Sequence, residues 1–194
     1  LARNADCAER VRHGLVLTCV GDPGEITYKR SRRGGAVIDR AAEHVLRHSG
    51  AGFRLRDFSP IGYDERQYCS PGFDLAVGCF MRSPHGTFPE YHTSADNMSF
   101  IRPTALSDSL VTVLEIFRVL EEDRRFQNLQ PFGEPQLGRR GLYRALGGET
   151  APGAQIALLW VLNLSDGHHS LLDIAERAAL PFATVARAAE ILIG

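Results

Sequence analysis

The sequence lacks a charge excess of either sign. It contains 22 Lys and Arg against 23 Asp and Glu, which gives a formal net charge of −1. A chain without a basic field has no general attraction for nucleic acid or for an anionic membrane. It also lacks any apolar run near the roughly 18 residues of a membrane-spanning helix, and it shows no signal-peptide pattern. These absences predict a cytoplasmic protein without nucleic-acid or membrane partners.

Cysteine is scarce and is not spaced for metal binding. The four cysteines are Cys7, Cys19, Cys69 and Cys79, and no two of them form a C-x-x-C pair. This spacing argues against a cysteine zinc site and predicts reduced thiols. The first residue is Leu1 rather than Met, which predicts that the natural start lies upstream.

The apolar residues, 44% of the chain, are enough for one medium domain with a small appendage. Short apolar or alternating runs predict strands, and longer amphipathic runs predict helices. The predicted strands are Gly14–Val20, Ile26–Lys29, Phe53–Asp57 and Leu75–Cys79. The predicted helices are Asp39–His48 and Ser107–Arg125, the second with an apolar face of Leu110, Val113, Leu114, Phe117 and Leu120. This mixed order predicts an α/β domain.

The C-terminal part of the sequence has a different, helical character. Three short helices are predicted over Gln155–Asn163, Ser170–Ala178 and Phe182–Ile193. Such a trio is typical of a helix-turn-helix or winged-helix core, here with its wing missing. The predicted organisation is an α/β domain over 1–130, a Pro- and Gly-rich connector over 131–153, and the helical domain over 154–194.

Two separate positions are candidate metal ligands. Asp22 directly follows a predicted buried strand, where ligands bind in open α/β sheets, and its carboxylate suits a cation. It is equally a turn residue that accepts hydrogen bonds from local backbone amides. His92 is a candidate zinc ligand that Asp96 would orient through the other ring nitrogen. Its alternative is a surface position beside a helix cap at Thr93 or Ser94.

The long irregular segment 59–74 carries a third group of candidates. Asp64, Glu65 and Arg66 lie in it, and long loops within compact domains are often functional. The acids are placed to bind a substrate ammonium group. Alternatively, they are solvated, or they pair locally with Arg66.

Six separated runs carry the strongest signal in the sequence. They are GLVLTCVGD (Gly14–Asp22), YKRSRR (Tyr28–Arg33), GYDERQYCSPG (Gly62–Gly72), EYHTSADN (Glu90–Asn97), GEPQLGRRGLY (Gly133–Tyr143) and WVLNLSDGHHSLLD (Trp160–Asp173). In this order they resemble a bacterial family of aminopeptidase-like proteins, related to zinc aminopeptidases, with a domain of unknown function and a C-terminal winged helix. The resemblance covers nearly the whole chain. It implies a partial aminopeptidase-like sheet with flanking helices, followed by the winged-helix-like domain.

The resemblance also implies a zinc-dependent amide hydrolase acting on peptides or aminoacyl small molecules. Asp22 matches the family's later Asp ligand, His92 its final His, and Asp96 the carboxylate of that His loop. Asp64 and Glu65 match the loop that faces substrate, and Arg66 is placed with them. The first His, the bridging Asp and the general-base Glu correspond to positions before Leu1. We therefore expect a fragment that binds zinc weakly and is inactive alone.

Two other function classes stay open at this point. One is a non-catalytic aminopeptidase-like protein that acts in surface-polysaccharide or other biosynthesis. The other is a binding role for the C-terminal helices, where the predicted helix Phe182–Ile193 has a single basic residue, Arg187. Because phosphate contacts need several cations, that domain is expected to bind protein rather than nucleic acid. Sheet edges left exposed by truncation would also favour a homo-oligomer.

Overall fold

The computed structural model describes residues 5–133, 135–139 and 153–193. The chain divides into two compact units, Leu1–Leu120 and Glu121–Gly194. Most of the predicted connector, 131–153, lies outside the described residues. Each unit is described by itself below.

A mixed sheet with helices forms the first unit. In chain order the elements are α1 (Ala5–Glu9), β1 (Gly14–Leu17), β2 (Ile26–Lys29), α2 (Val37–His48), β3 (Phe53–Arg56), α3 (Glu65–Tyr68), β4 (Val77–Met81) and α4 (Pro103–Glu122). The strand order is β1-β4-β2-β3. β1 runs parallel to β4, β2 runs parallel to β3, and β2 pairs with β4 in antiparallel orientation. The predicted α/β class is therefore confirmed.

The two central strands form the core of this sheet. Every residue of β2 and of β4 is buried, which agrees with their largely apolar or β-branched composition; Lys29 at the end of β2 is the charged exception. Tyr28 and Phe80 are fully buried partners across the antiparallel pair. Gly78 is required here, because a β-carbon at that position would lie only 2.0 Å from the Tyr28 hydroxyl oxygen.

Strand β1 is shorter than the predicted Gly14–Val20. It ends at Leu17, and Cys19 adopts a positive φ of 47° that extended backbone does not tolerate. Strand β4 begins at Val77 and runs to Met81, two residues beyond the predicted Leu75–Cys79. Both differences are shifts of an element boundary, and each predicted strand exists.

The predicted buried face of α4 is wrong. Leu110, Leu114 and Phe117 are 60%, 55% and 43% exposed, and only Val113 of the predicted face is buried. The buried side of the helix instead carries small or hydroxyl side chains beside its apolar ones, namely Ala105, Ser109, Thr112, Val113, Ile116 and Val119. On this side of the helix the Ser109 hydroxyl donates to the backbone oxygen of Val20 at 2.8 Å, a long-range contact that turns this side toward the segment after β1.

The second unit contains the three predicted helices. They are α5 (Ala154–Leu164), α6 (Leu171–Ala178) and α7 (Phe182–Ile193). A two-stranded antiparallel sheet of β5 (Arg125–Gln127) and β6 (Asp166–Ser170) was not predicted, because short polar strands carry no alternation signal. Ser170 caps α6 by accepting a hydrogen bond from the Asp173 amide. None of the helices that the structure describes combines the length and apolar character needed to traverse a bilayer.

Candidate functional site

The candidate site lies where β1 and β4 end. Because these strands are parallel, their carboxyl ends meet at one edge of the sheet, where ligands of α/β folds bind. The Arg82 amide donates to the Cys19 oxygen at 2.9 Å, which joins the two segments just beyond the strands. The site is therefore built from the turn at 18–24 and from the segment that begins at Arg82.

Asp22 is a buried bridge between these two segments. It is 3% exposed and accepts hydrogen bonds from the Gly24 amide at 2.8 Å and from the Ser83 amide at 3.1 Å. The Ser83 hydroxyl also donates to its Oδ1 atom. Two of these three bonds use Oδ1, so Oδ2 keeps acceptor capacity for one further partner. The carboxylate thus has the turn role considered from sequence, and its Oδ2 atom has one described hydrogen bond.

Arg82 holds the same turn from the other side. Its guanidinium donates to the Gly24 oxygen at 2.7 Å and to the Ala105 oxygen at 3.2 Å. The first bond fixes the turn that contains Asp22, and the second fixes that turn against the beginning of α4. The position of the Asp22 carboxylate is therefore set by two independent anchors, Ser83 and Arg82.

An aromatic cluster extends the site toward the predicted histidine loop. The Tyr63 hydroxyl accepts a hydrogen bond from the His85 amide at 3.0 Å and lies 3.4 Å from the Cys19 sulfur. The Tyr63 ring packs edge-on against His85 and Tyr91, with centroids 5.2 and 6.4 Å apart. Burial and the hydrogen bond with the Cys19 thiol raise the pKa of Tyr63 above its ordinary value, so the phenol stays protonated.

His92 forms the exposed end of this cluster. Its ring stacks on Tyr91 with centroids 4.0 Å apart, and its φ of 59° places it in the left-handed region. The turn that contains it is closed by Thr93, whose hydroxyl donates to the Glu90 oxygen at 2.8 Å. The alternative that His92 is a surface residue is confirmed, whereas the helix expected after Thr93 or Ser94 is not there, because the next helix begins at Pro103. Asp96 is exposed, and no hydrogen bond joins it to His92 in the described part of the chain.

Glu65 has a different environment from the neighbours predicted with it. It is fully buried, and the Lys29 ammonium group donates to its Oε1 atom at 2.9 Å. Its Oε2 atom accepts from the Tyr63 amide at 3.0 Å. Asp64 and Arg66 are exposed. The alternative of a local pair with Arg66 is therefore wrong for Glu65, whose charge is balanced by strand β2.

The buried ammonium group of Lys29 is fully engaged. Besides Glu65, it donates to the Ser59 oxygen at 2.8 Å and to the Ile61 oxygen at 2.7 Å. These three acceptors satisfy its three N–H groups. The ion pair thereby ties the loop at 57–74 to the core of the sheet and holds Tyr63 in place.

The predicted ligands Asp22 and His92 are linked only indirectly, through the segment 83–92, and no described contact joins them. Asp22 binds Ser83, His85 follows Ser83 by two residues, and Tyr91 contacts both His85 and His92. Within 5–133, 135–139 and 153–193, no group of three or more His, Cys, Asp or Glu residues is placed to hold a metal ion. These residues therefore offer at most two of the three protein ligands that a catalytic zinc needs.

Sequence reasoning did not identify Cys19, His85 and Tyr91 as parts of the site. Tyr91 precedes the predicted ligand His92 directly, so its place in that loop was the available signal. Cys19 and His85 each follow a strand end by a few residues, but only the parallel pairing of β1 with β4 brings those two segments together.

The chain matches the models of two known families. Residues 1–123 match the model of a domain of unknown function, DUF4910, and residues 124–194 match a winged helix-turn-helix model. The chain belongs to the DUF4910 family. The resemblance inferred from the six sequence runs and the expected winged-helix-like domain are thereby confirmed.

A curated relative and a solved structure, both from Clostridium acetobutylicum, resemble this DUF4910 chain. One is named "Putative polysaccharide biosynthesis protein with aminopeptidase-like domain" and is 48% identical over 193 residues, 99% of this chain and 44% of the relative. The other is a crystal structure of a "putative peptidase", 45% identical with a TM-score of 0.90. It covers 100% of this chain and 43% of its own. The chain thus spans less than half the length of these relatives.

Proposed function

We propose that this DUF4910 chain is part of a zinc-dependent aminopeptidase-like hydrolase that cleaves amide bonds of peptides or aminoacyl compounds. The observation that supports it is that Asp22, and the segment after Arg82 that leads to His92, both lie beyond the carboxyl ends of β1 and β4. The word "peptidase" in the name of the solved relative and "aminopeptidase-like" in the name of the other support the proposal. The chain alone is proposed to be inactive, because its described residues offer two ligands rather than three.

The residues of this chain have distinct roles in the proposed reaction. Asp22, through its remaining Oδ2 capacity, and His92, through an exposed ring nitrogen, would hold the zinc ion. When bound, zinc lowers the pKa of a water molecule and polarises the amide carbonyl group. Asp64 is the exposed carboxylate available for a substrate ammonium group. Glu65 positions that loop from the core, and Asp96 would orient His92 as a ligand.

The remaining machinery is proposed to come from polypeptide outside these 194 residues. A general base must lie within hydrogen-bond reach of the water it deprotonates, and a third ligand must complete the metal site. The matched region of the solved relative is 43% of that chain, so the longer protein has room for both. The full-length relative is therefore the appropriate protein for activity measurements.

The proposal is tested by hydrolysis of aminoacyl-anilides by the full-length Clostridium relative, with and without a chelator. We expect hydrolysis that the chelator abolishes and that added zinc restores. Substitution of the residues aligned with Asp22 and His92 should each lower kcat/KM by at least about a hundredfold. The matched control is the residue aligned with Asp108, an exposed acid on α4. Hydrolysis that is unchanged by chelator and by both substitutions would reject the zinc mechanism.

A second candidate is a non-catalytic role in polysaccharide or other biosynthesis. The observation that favours it is the engagement of Asp22 by Ser83 and Gly24, which gives the carboxylate a purely structural use. The curated Clostridium relative is named as a putative polysaccharide biosynthesis protein. In this case the full-length relative would bind no stoichiometric zinc, and it would hydrolyse no aminoacyl-anilide at any metal concentration.

The winged-helix unit is proposed to bind protein rather than nucleic acid. The cation at the middle of α7, Arg187, is paired with Glu190 at 3.0 Å, so its charge is already balanced. A DNA mobility-shift assay on this chain and on Arg187→Glu tests the point. We expect no shifted band for either protein, whereas binding that Arg187→Glu removes would reverse the assignment.

A further inference from the structure

A cavity of about 830 Å³ lies at the amino ends of β1 and β4. It is lined by the segment that leads into β1, by the loop before α2 and by the loop before β4. The candidate site lies at the other ends of the same strands, so the two are separated by the length of β4, about 16 Å at the usual rise per residue. A cavity of this volume can hold a small organic ligand. Binding there would not depend on zinc or on hydrolysis.

The buried part of this lining is apolar. Ala8, Leu75 and Ala76 line the cavity and are at most 7% exposed. Val37 and Phe73 also line it and are half-buried. Ligand pockets usually combine an apolar wall of this kind with a few polar groups that fix the orientation of the ligand. The wall therefore suits an organic group, and the polar groups decide which charge accompanies it.

The charged groups around the cavity are mostly arginines. Arg12 and Arg33 line it, and Glu9 is the one acid among its lining residues. Asp74 accepts hydrogen bonds both from Arg32, at 2.8 Å, and from Arg33, at 3.3 Å. Three guanidinium groups therefore share two carboxylates, which leaves a local excess of positive charge.

Two of these arginines have donors to offer a ligand. Arg33 contacts Asp74 through its Nε atom alone, so both of its Nη groups remain for an acceptor. Arg12 forms no ion pair with any acid in the part of the chain that the structure describes. Burial and the charge of Arg12 lower the pKa of His13, which also lines the cavity, and this shift is consistent with a positive potential there.

The beginning of helix α2 also borders the cavity, at Ala36 and Val37. The Ala36 amide already donates to the Asp39 carboxylate at 3.1 Å. Asp39 brings a negative charge to this end of the helix and so counteracts the attraction of the helix dipole for an anion. The arginines, rather than the helix, are therefore the groups that a charged ligand would contact.

We propose that this cavity binds an organic phosphate monoester, whose phosphate group contacts Arg12 and Arg33 and whose organic group packs on the apolar wall. Guanidinium groups pair with phosphate oxygens in a bidentate fork, and a dianion balances the local positive excess more fully than a single carboxylate does. The net charge of the whole chain is −1, so the attraction is confined to this cavity and does not extend to a nucleic-acid backbone.

The first test titrates the 194-residue chain with phenyl phosphate, inorganic phosphate and benzoate, and follows the amide signals by NMR. We expect phenyl phosphate to saturate one site with a Kd of about 1 mM or lower. Inorganic phosphate lacks an apolar group and benzoate carries one charge, so each should bind at least about tenfold more weakly. No saturable binding of phenyl phosphate, or equal binding of either other compound, would overturn the proposal.

A pair of arginine substitutions locates the phosphate group. Arg12→Gln with Arg33→Gln should raise the Kd for phenyl phosphate at least about tenfold. The matched control is Arg54→Gln with Arg56→Gln, which removes two exposed arginines of β3 that do not line the cavity and should leave the Kd within about twofold. Equal losses with the two pairs would show that binding follows net charge rather than the cavity, and would overturn the proposal.

The second test fills the cavity and keeps every charge, so that a poorly folded arginine variant cannot leave the question open. Gly72 lines the cavity, and a β-carbon built on it meets no atom within 4 Å. Gly72→Phe should therefore change Tm by less than about 2 °C. Its affinity for phenyl phosphate should fall at least about tenfold, because the added ring occupies the space of the organic group. Unchanged affinity in the folded Gly72→Phe variant would place the ligand elsewhere and overturn the proposal.

Discussion

The two loops that carry the candidate site residues are held in opposite ways. The loop at 57–74 closes on the buried pair of Lys29 and Glu65, whose N–H groups and carboxylate oxygens are satisfied within the core. The loop at 83–101 presents His92 at its surface and depends on ring stacking against Tyr91 and on local turns. A buried ion pair that loses one partner is costly, whereas an exposed ring contact is weak. The first loop is therefore a fixed frame, and the second is the part that a ligand could order.

Glu65→Ala is expected to have the largest effect on stability, because it removes the buried ion pair with Lys29 that holds the loop at 57–74. Lys29 would remain buried without its counter-charge, which costs about 3–5 kcal/mol of the free energy of unfolding. Urea denaturation followed by circular dichroism measures this loss. Asp64→Ala is the matched control, since that neighbouring acid is exposed and should change stability by less than about 0.5 kcal/mol. Similar losses for both variants would show that Glu65 does not anchor the loop.

Asp22→Asn tests the link between the two strand ends. The substituted amide keeps the shape, but it offers a donor where the Ser83 amide also donates, and it loses the charge that strengthens these bonds. We expect a loss of about 1–3 kcal/mol. Asp96→Asn is the control, because that exposed carboxylate has no described hydrogen bond to lose. Thermal unfolding of the two variants measures the difference. An Asp22→Asn variant with unchanged stability would mean that the bridge to Ser83 contributes none.

Substitutions of His92 measure the backbone strain of the exposed loop. Alanine and glycine both remove the ring that stacks on Tyr91, so their difference isolates the positive φ of 59°. His92→Gly should be more stable than His92→Ala by about 1 kcal/mol. At Asp96, which has an ordinary φ, the order should reverse, with alanine more stable by about 0.5 kcal/mol. The same order at both positions would show that the loop relaxes away from the left-handed conformation.

The class of fold and the order of its elements could be predicted from sequence because the buried strands are short apolar runs. Ile26–Lys29 and the helix Phe182–Ile193 have the predicted bounds. The buried face of α4 could not be predicted, since two apolar faces compete on that helix. The buried face is the one that carries Ser109, whose hydroxyl donates to the Val20 oxygen. These two residues are 89 positions apart in sequence, so a local pattern could not predict the contact.

The site could be predicted only in part for a similar reason. Asp22 and His92 were identified from motif positions, and their assignment as zinc ligands stays a prediction. The burial of Glu65 could not be foreseen, because its partner Lys29 lies 36 residues away in a strand that otherwise reads as amphipathic. A charged residue in a polar loop is normally expected to be exposed. Glu65 is buried instead, because Lys29 of β2 lies beside it in the core.

The smallest expected effect concerns a pH-sensitive anchor at the start of the fixed loop. Arg30 donates to Asp57 and to Glu43, each at 2.7 Å. Burial alone would raise the pKa of Glu43, but the hydrogen bonds from Arg30 and Arg47 outweigh it and lower that pKa below its usual value. A depressed carboxyl pKa stabilises the fold above the unfolded-state pKa of about 4.3, and the stabilisation is lost as pH falls through the folded-state value.

Glu43→Gln should therefore destabilise the chain at pH 7 and cease to do so in acid. The difference at pH 7 is expected to be below about 1 kcal/mol, because the Arg30 and Glu43 side chains are both partly exposed. Urea denaturation at several pH values between neutrality and the acid limit measures it. Glu115→Gln on the exposed side of α4 is the control, and it should change stability by less than about 0.5 kcal/mol at pH 7. The destabilisation should also be smaller in high salt, since partly exposed ion pairs are screened. A difference that persists below the folded-state pKa would mean that Glu43 stabilises α2 through packing, and that the fixed loop owes its rigidity to Lys29 and Glu65 alone.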